Sequence, residues 1–415
     1  MFGLRRVLSE TVGGLPRAYW YLWTGNLINR LGGFVTVFLA FYLIAARHFS
    51  VAFTGLVVSL VGGGGAAAVL LGGVLADRWG RRPTLLAGQL GTAVTLMGLG
   101  LSSGRMAVAS WAFAYGIASN VVRPAFSAMM TDLVPPAERV RAFSLNYWAI
   151  NLGFAFSASI AGLVASVSYV LLFAIDAATT LAAAAIVFIR VAETRPQLPR
   201  AEPGVRVEGL GVALRDRVYV SFLGLNALLA LIFMQHLSSL PATMHGDGLS
   251  PSTYGFIIAL NGVLIVALQL PITRFLKDRR RSRVLALATL VIGLGFGLTA
   301  VAHVAWVYAV TVVVWTAGEM LHAPVASAVV ADLSPAHLRG RYQALYSLSF
   351  GLAAFVGPVV GGLVIQRYGE VALWAGCFVV GLMAAAGQLM IAPARRRRLQ
   401  QLGVALRVAG GYPPT

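Results

Sequence analysis

The sequence predicts an all-α membrane protein of twelve transmembrane helices, arranged as two pseudo-symmetric six-helix bundles. Three observations carry this expectation. The 415 residues are 58% hydrophobic and 11% charged, far from the make-up of a soluble chain of this length. Apolar stretches matching the ~20 residues that a bilayer core demands follow one another with little between them, and the alternation of a membrane barrel is absent. Helices satisfy their own backbone in lipid, so helices are expected throughout. Finally, the chain matches itself at an offset of 200 residues.

Residues 1–17 mix Phe2, Leu4, Val7 and Leu8 with Arg5, Arg6 and Glu10, as a short interfacial segment would. Helix 1, roughly 18–46, opens on an aromatic belt of Tyr19, Trp20, Tyr21 and Trp23. Asn26, Asn29 and Arg30 follow near its middle and must face protein or water. Helix 2, near 53–76, contains the run Gly62 to Gly65, which lets neighbouring helices approach closely. Helix 3, near 83–102, has Gln89 as its one strongly polar side chain, and helix 4, near 106–132, carries Trp111, Tyr115, Asn120 and Arg123. Helices 5 and 6 fall near 141–165 and 169–188, with Asp176 inside the latter.

Between 190 and 217 the chain turns polar, with Glu193, Arg195, Pro196, Pro199, Arg200, Glu202, Pro203 and Arg206. The expected organisation is therefore an N-terminal bundle at 1–190, a linker at 191–217, a C-terminal bundle at 218–394 and a basic tail at 395–415. Helices 7 to 12 are placed near 218–244, 251–276, 283–304, 306–333, 341–366 and 370–393. Arg395 to Arg398 open the tail and suit anionic headgroups.

A net charge of +18 in a soluble protein would suggest nucleic acid, so its location decides its meaning. Of the 32 basic residues, 27 fall on one side: before helix 1, in loops 2–3, 4–5, 8–9 and 10–11, in the linker and in the tail. That asymmetry is the positive-inside signal, placing both termini in the cytoplasm and the protein in an inner (plasma) membrane, in contact with its lipids. No basic face is interleaved with exposed aromatics, so no nucleic-acid partner is expected. Cys377 stands alone, which excludes an internal disulfide and a cysteine metal cluster. No cleavable signal peptide is evident. The chain shows no nucleophile–base pair, metal-ligand spacing or nucleotide loop, so neither enzyme activity, metal nor cofactor is expected.

The repeat is clearest at 124–145, where 9 of 22 positions are identical 200 residues later, among them Pro124/Pro324, Asp132/Asp332, Arg139/Arg339 and Arg141/Arg341. Asn26/Asn226, Gly55/Gly255 and Gly62/Gly262 share the offset. Two hundred residues span an even number of helices, so the halves are parallel repeats, and such repeats hold substrate near the midplane between them.

The turn between helices 2 and 3 reads Gly72-Gly73-Val74-Leu75-Ala76-Asp77-Arg78-Trp79-Gly80-Arg81-Arg82-Pro83. Gly72 and Gly73 allow close helix approach, Gly80 a turn closed to other residues, and Pro83 a first helical turn. Asp77 is placed to meet a helix N-terminus or an arginine. This stretch resembles the loop 2–3 signature of the major facilitator superfamily, G-x-L-A-D-r-x-G-r-r/k, at Gly73, Leu75, Ala76, Asp77, Arg78, Gly80, Arg81 and Arg82. Loops 4–5 and 10–11, with Asp132, Arg139, Arg141, Asp332, Arg339 and Arg341, resemble the family's second cytoplasmic signature. The resemblance implies that these residues form a gating latch between the halves rather than a substrate site. It also implies a monomer with a cavity lined by helices 1, 4, 7 and 10, working by alternating access. Departures from the drug/proton antiporter subfamily are Ala112 in place of its helix 4 arginine, a degraded helix 5 signature (Asn151, Ser157, Ala158, Ala161, Gly162) and Lys277 in place of an acid in loop 8–9.

Positions that break the repeat point to function, since scaffold alone would keep both halves alike. Arg30 aligns with Ala230, Arg123 with Ala323, Glu319 with Ser119, His236 with Thr36, and Asp176 with Gly376. Glu319, with His322 one turn away, is the leading proton carrier, because a carboxyl in the membrane interior can bind a proton or attract a cation; the alternative is a fixed pair with Arg30. Asp176 is either a second coupling group or a hydrogen-bonded packing acid. Asn26, Asn29, Arg30, Trp111, Tyr115, Asn120, Arg123, Asn226, Gln235, His236, Trp315 and His322 are the candidate cavity residues. The leading function is export of amphipathic or cationic small molecules in exchange for protons. Import of a metabolite or of an anion drawn to Arg30 and Arg123 is the second possibility, and a non-transporting membrane receptor the third.

Overall fold

In the computed structural model, residues 14–194, 211–276, 279–335 and 338–409 are described. Residues 1–13 of the interfacial segment expected at 1–17, residues 195–210 of the linker expected at 191–217, Lys277 and the end of the tail lie outside them. Helix 1 comprises Arg17–Leu31 and Val35–Ala45, and helices 2 to 6 are Val51–Arg78, Arg81–Leu101, Arg105–Leu133, Arg139–Val167 and Tyr169–Arg190. Helix 7 comprises Arg217–Phe233 and Gln235–Gly246, and helices 8 to 12 are Pro251–Leu276, Arg281–Leu298, Ala305–Leu333, Arg339–Tyr368 and Glu370–Met390. Among the described residues, eleven of these twelve are long and apolar enough to cross a membrane. The other, helix 4, is 29 residues long and packs along helix 2, but Arg105, Ser110, Ser119, Asn120, Arg123 and Ser127 dilute its hydropathy.

Three features correct the sequence expectations. Helices 1 and 7 were expected to be continuous, and both are broken at repeat-related positions, at Gly32–Phe34 and Met234. At the first break Gly32 lies so close to Thr179 that a Cβ would overlap it, and the Asp176 carboxylate accepts the Val35 N–H at 3.0 Å. An acid there caps the second half-helix as at any helix N-terminus. At the second break Gln235 donates to the Leu231 carbonyl at 3.0 Å and the His236 ring meets the Phe233 carbonyl at 2.5 Å, so the backbone groups the break would strand are satisfied. The tail, expected to lie on headgroups, forms a helix at Ala392–Ala409 that turns Arg395 inward to 4% exposure. Its guanidinium donates to the Gln388 side chain and carbonyl at 2.8 and 2.9 Å, and Arg398 reaches Asp216 at 3.0 Å. Burial lowers the Arg395 pKa to about 10, so it stays charged at neutral pH.

Within each bundle the same ties recur 200 residues apart. Tyr19 donates to the Ala142 carbonyl at 3.0 Å, and Tyr219 to that of Tyr342 at 2.5 Å. Asn26 donates to Asn146 and Asn226 to Ser349, at 2.8 and 3.1 Å, while Arg81 pairs with Asp132 and Arg281 with Asp332.

The bundles meet along helices 2 and 11 and along helices 5 and 8. Small residues let the backbones touch. A Cβ on Gly55 would strike Pro358, one on Gly62 Ala354, and one on Gly262 Ala155, while Gly351 faces Ala66. At the end opposite the basic loops the seam is also bonded: Tyr254 donates to the Val37 carbonyl at 3.1 Å, Ser252 to that of Gly162 at 3.1 Å, and the Val359 N–H to Ser59 at 3.0 Å. Phe41 and Tyr254 stack across it at 5.7 Å. Gly55, Gly62, Ala66 and Gly73 share one face of helix 2. A Cβ on Gly73, the one nearest the basic loops, would meet nothing within 4 Å among the described residues. Among the described residues, these cross-seam hydrogen bonds thus lie at the end opposite the basic loops, and the small-residue face of helix 2 stands open at the basic end.

Candidate transport cavity

A cavity of about 450 Å³ lies in the N-terminal bundle, running from Tyr115 and Asp176 at mid-depth to Phe126, Ser127 and Val187 toward the basic end. Asn26, Asn29, Arg30, Asn120 and Arg123, expected to line a cavity, all do so. Asn29 donates to Thr180 at 2.7 Å, Tyr115 shares a 3.1 Å hydrogen bond with Thr36, and Asn120 donates to the Gly116 carbonyl at 2.9 Å. Arg30, Arg123 and Asp176 line the same cavity, and no ion pair joins them among the described residues. Asp176 lines the cavity and is hydrogen-bonded at the break in helix 1, the second of the two alternatives weighed for it.

A second pocket, of about 130 Å³, lies in the C-terminal bundle and is lined by Glu319, His322, Phe233, Ser327, Tyr346 and Phe350 among others. Glu319 accepts a 2.7 Å hydrogen bond from Asn261, which also reaches Thr316 at 3.1 Å. The Arg30–Glu319 pair is not formed, because the two residues belong to different pockets. His322 Nε2 is buried with no hydrogen-bond partner among the described residues.

Five expected cavity residues have scaffold surroundings instead. Trp315 is 1% exposed and stacks on Phe296 at 5.4 Å; Trp111 covers Gly98. Gln235 spans helices 7 and 11 through the Gly357 carbonyl at 3.0 Å, and His236 packs on Phe233 at 4.7 Å. Asn226 is fully buried in its tie to Ser349. Sequence reasoning missed Asn146, Thr180 and Asn261. Of these, Asn261 was within reach, since its repeat partner is Val61 and a polar intrusion on one side only is the signal that found Glu319.

Around the basic loops, Arg81 pairs with Asp132 and donates to the Ala128 carbonyl at 3.3 Å, Arg82 donates to that of Phe188 at 2.5 Å, and Arg139 to that of Thr131 at 3.2 Å. Arg141 pairs with Glu138 at 3.2 Å. Gly80 takes φ +116°, open to glycine, where helix 3 begins. Asp77 was placed to meet a helix N-terminus or an arginine; the N-terminus of helix 3 is taken by Glu193, which accepts the Arg81 and Arg82 N–H groups at 3.1 Å each. Asp77 is exposed. Arg78, Arg339 and Arg341 stand on the same end.

Two parallel six-helix bundles with polar pockets buried in lipid-spanning helices define a multi-pass membrane transporter rather than an enzyme. The chain belongs to the Major Facilitator Superfamily, whose sequence model matches residues 22–247 and 236–405. It is 25% identical to the MFS-type transporter YqjV of Bacillus subtilis (strain 168), over 84% of this chain and 87% of that one. It is 24% identical to a Na(+), Li(+), K(+)/H(+) antiporter of Planococcus maritimus (78% and 83% covered) and 24% identical to the multidrug resistance protein MdtH of Citrobacter koseri (71% and 72% covered). Among solved structures, a POT family transporter in complex with 5-aminolevulinic acid superposes with a TM-score of 0.80 at 15% identity, covering 92% of this chain and 98% of that one, a likeness of fold.

Proposed function

We propose that this transporter works by alternating access, exporting a small molecule from the cytoplasm in exchange for protons, with Glu319 as the coupling group. The observation that carries the coupling role is the setting of Glu319. It lines a pocket, holds a hydrogen bond from Asn261 and has no cation within ion-pair distance among the described residues. Its charge is therefore free to follow the proton supply. The positive-inside asymmetry supports assigning the basic end to the cytoplasm, which makes this conformation open inward. The antiporter and the multidrug resistance protein among the relatives are consistent with export. One charge crossing 100 mV carries about 2.3 kcal/mol, enough for a tenfold gradient.

The test is proton movement in proteoliposomes holding a pH-sensitive dye, with benzenesulfonate, phenylphosphonate and tetraphenylphosphonium offered in turn. Substrate-linked proton flux is expected with the parent and lost in Glu319→Gln. Undiminished flux in that variant removes Glu319 from the role. A second possibility, import of an anion, is favoured by Arg30 and Arg123 and separates by the direction of flux.

A further inference from the structure

We propose that the N-terminal cavity binds an amphipathic organic anion, its oxyanion group held between Arg30 and Arg123. This deepens the transport reading and rests on taking the cavity as the substrate's seat. It also replaces the cationic cargo first expected from the sequence.

The cavity brings two guanidinium groups together against one carboxylate. That carboxylate is committed elsewhere, since Asp176 accepts the Val35 N–H at the break in helix 1. Neither arginine forms an ion pair among the described residues, and Arg30 Nε is buried without a hydrogen-bond partner. An unpartnered buried donor on a cation costs more than a neutral one, and a second cation beside it adds repulsion. A bridging oxyanion removes both costs at once, because guanidinium forks match carboxylate, sulfonate and phosphonate geometry. Of the neighbouring amides, Asn26 is engaged with Asn146, Asn29 with Thr180 and Asn120 with the Gly116 carbonyl, while Gln89 is a further lining amide whose oxygen has no partner among the described residues, leaving the arginines as the free cationic groups. Leu22, Val122, Phe126, Ile150 and Phe154 supply an apolar wall for the rest of the molecule, and the volume is that of a small-ligand site. The scaffold itself does not need these charges, since Ala230 and Ala323 stand at the equivalent places in the other bundle.

The experiment uses the purified full-length protein in lipid nanodiscs, measuring thermal stabilisation by benzenesulfonate, phenylphosphonate and benzoate, with tetraphenylphosphonium as the opposite charge. At least one anion should stabilise saturably, and the cation should not. Arg123→Gln should weaken apparent affinity roughly ten- to hundredfold, the loss expected for a charge-assisted contact, and Arg123→Lys should restore part of it. Arg123 is exposed to the cavity, so this variant keeps the test alive if Arg30→Gln does not fold. Stabilisation by the cation alone, by none of the three anions at millimolar concentration, or equally in parent and Arg123→Gln, overturns the proposal. Arginine-dependent anion binding without linked proton flux would leave this site standing and sink the transport reading. Proton-linked cation flux without anion binding would do the reverse.

Discussion

Glu319 and Asp176 are both acids inside the membrane, yet their surroundings divide the work between them. Asp176 is bound to backbone at the break in helix 1, so its removal should cost structure before function. Glu319 is bound to a side chain, Asn261, and its removal should cost coupling first. The Asp176→Asn protein should unfold at a lower temperature than the parent, by the ~1–2 kcal/mol of a lost helix cap, whereas Glu319→Gln should stay near it; thermal unfolding of both variants in nanodiscs checks this. Equal destabilisation by both would remove the distinction. Comparing the two halves of the sequence located Arg30, Arg123, Asp176 and Glu319, since a charge present in one repeat only is conspicuous without any structure. It misplaced Gln235 and His236 because the break in helix 7 is written in no glycine or proline at Met234, and the break is what engages the two polar side chains.

At the scale of elements, length and order of the helices were legible from hydropathy. Helix breaks and the fate of the tail were not, because they depend on contacts made across more than a hundred residues. Asp216 shows why. It caps helix 7 through the Val218 and Tyr219 N–H groups at 3.2 and 3.1 Å, accepts from Tyr342 on helix 11 at 3.2 Å, and receives Arg398 from the tail. Arg398→Ala should lower stability by roughly 1–3 kcal/mol, and the loss should not add to that of Asp216→Asn in a double-mutant cycle followed by thermal unfolding. Additive losses would mean that the tail helix is held by something else.

The small-residue face of helix 2 offers a sharper pair. Gly62→Leu forces a side chain into the Ala354 backbone and should destabilise this conformation by about 1–3 kcal/mol. Gly73→Leu meets open space here and should leave stability within about 0.5 kcal/mol of the parent, as exposed substitutions do. It should still abolish transport, because closing the basic end presses that face of helix 2 onto the start of helix 11. Full activity in Gly73→Leu would show that this part of the signature never becomes an interface.

Over the whole molecule, the proposed transport cycle has the two bundles, joined along helices 2, 11, 5 and 8, rock about that seam. The repeat made the two bundles legible in the sequence, and the signature loops marked the end at which they part; which end was shut in a given state was written nowhere in it. The most direct test is a pair of spin-label distances in a Cys377→Ser background, which removes the single native thiol. One pair sits on the basic end at Trp79→Cys and Arg279→Cys, the other on the opposite end at Ser103→Cys and Val304→Cys, all exposed positions. When the medium is acidified or benzenesulfonate is added, the first distance should shorten as the second lengthens, in one shared transition. Two distances that stay fixed, or that lengthen together, would contradict the rocking of one bundle against the other.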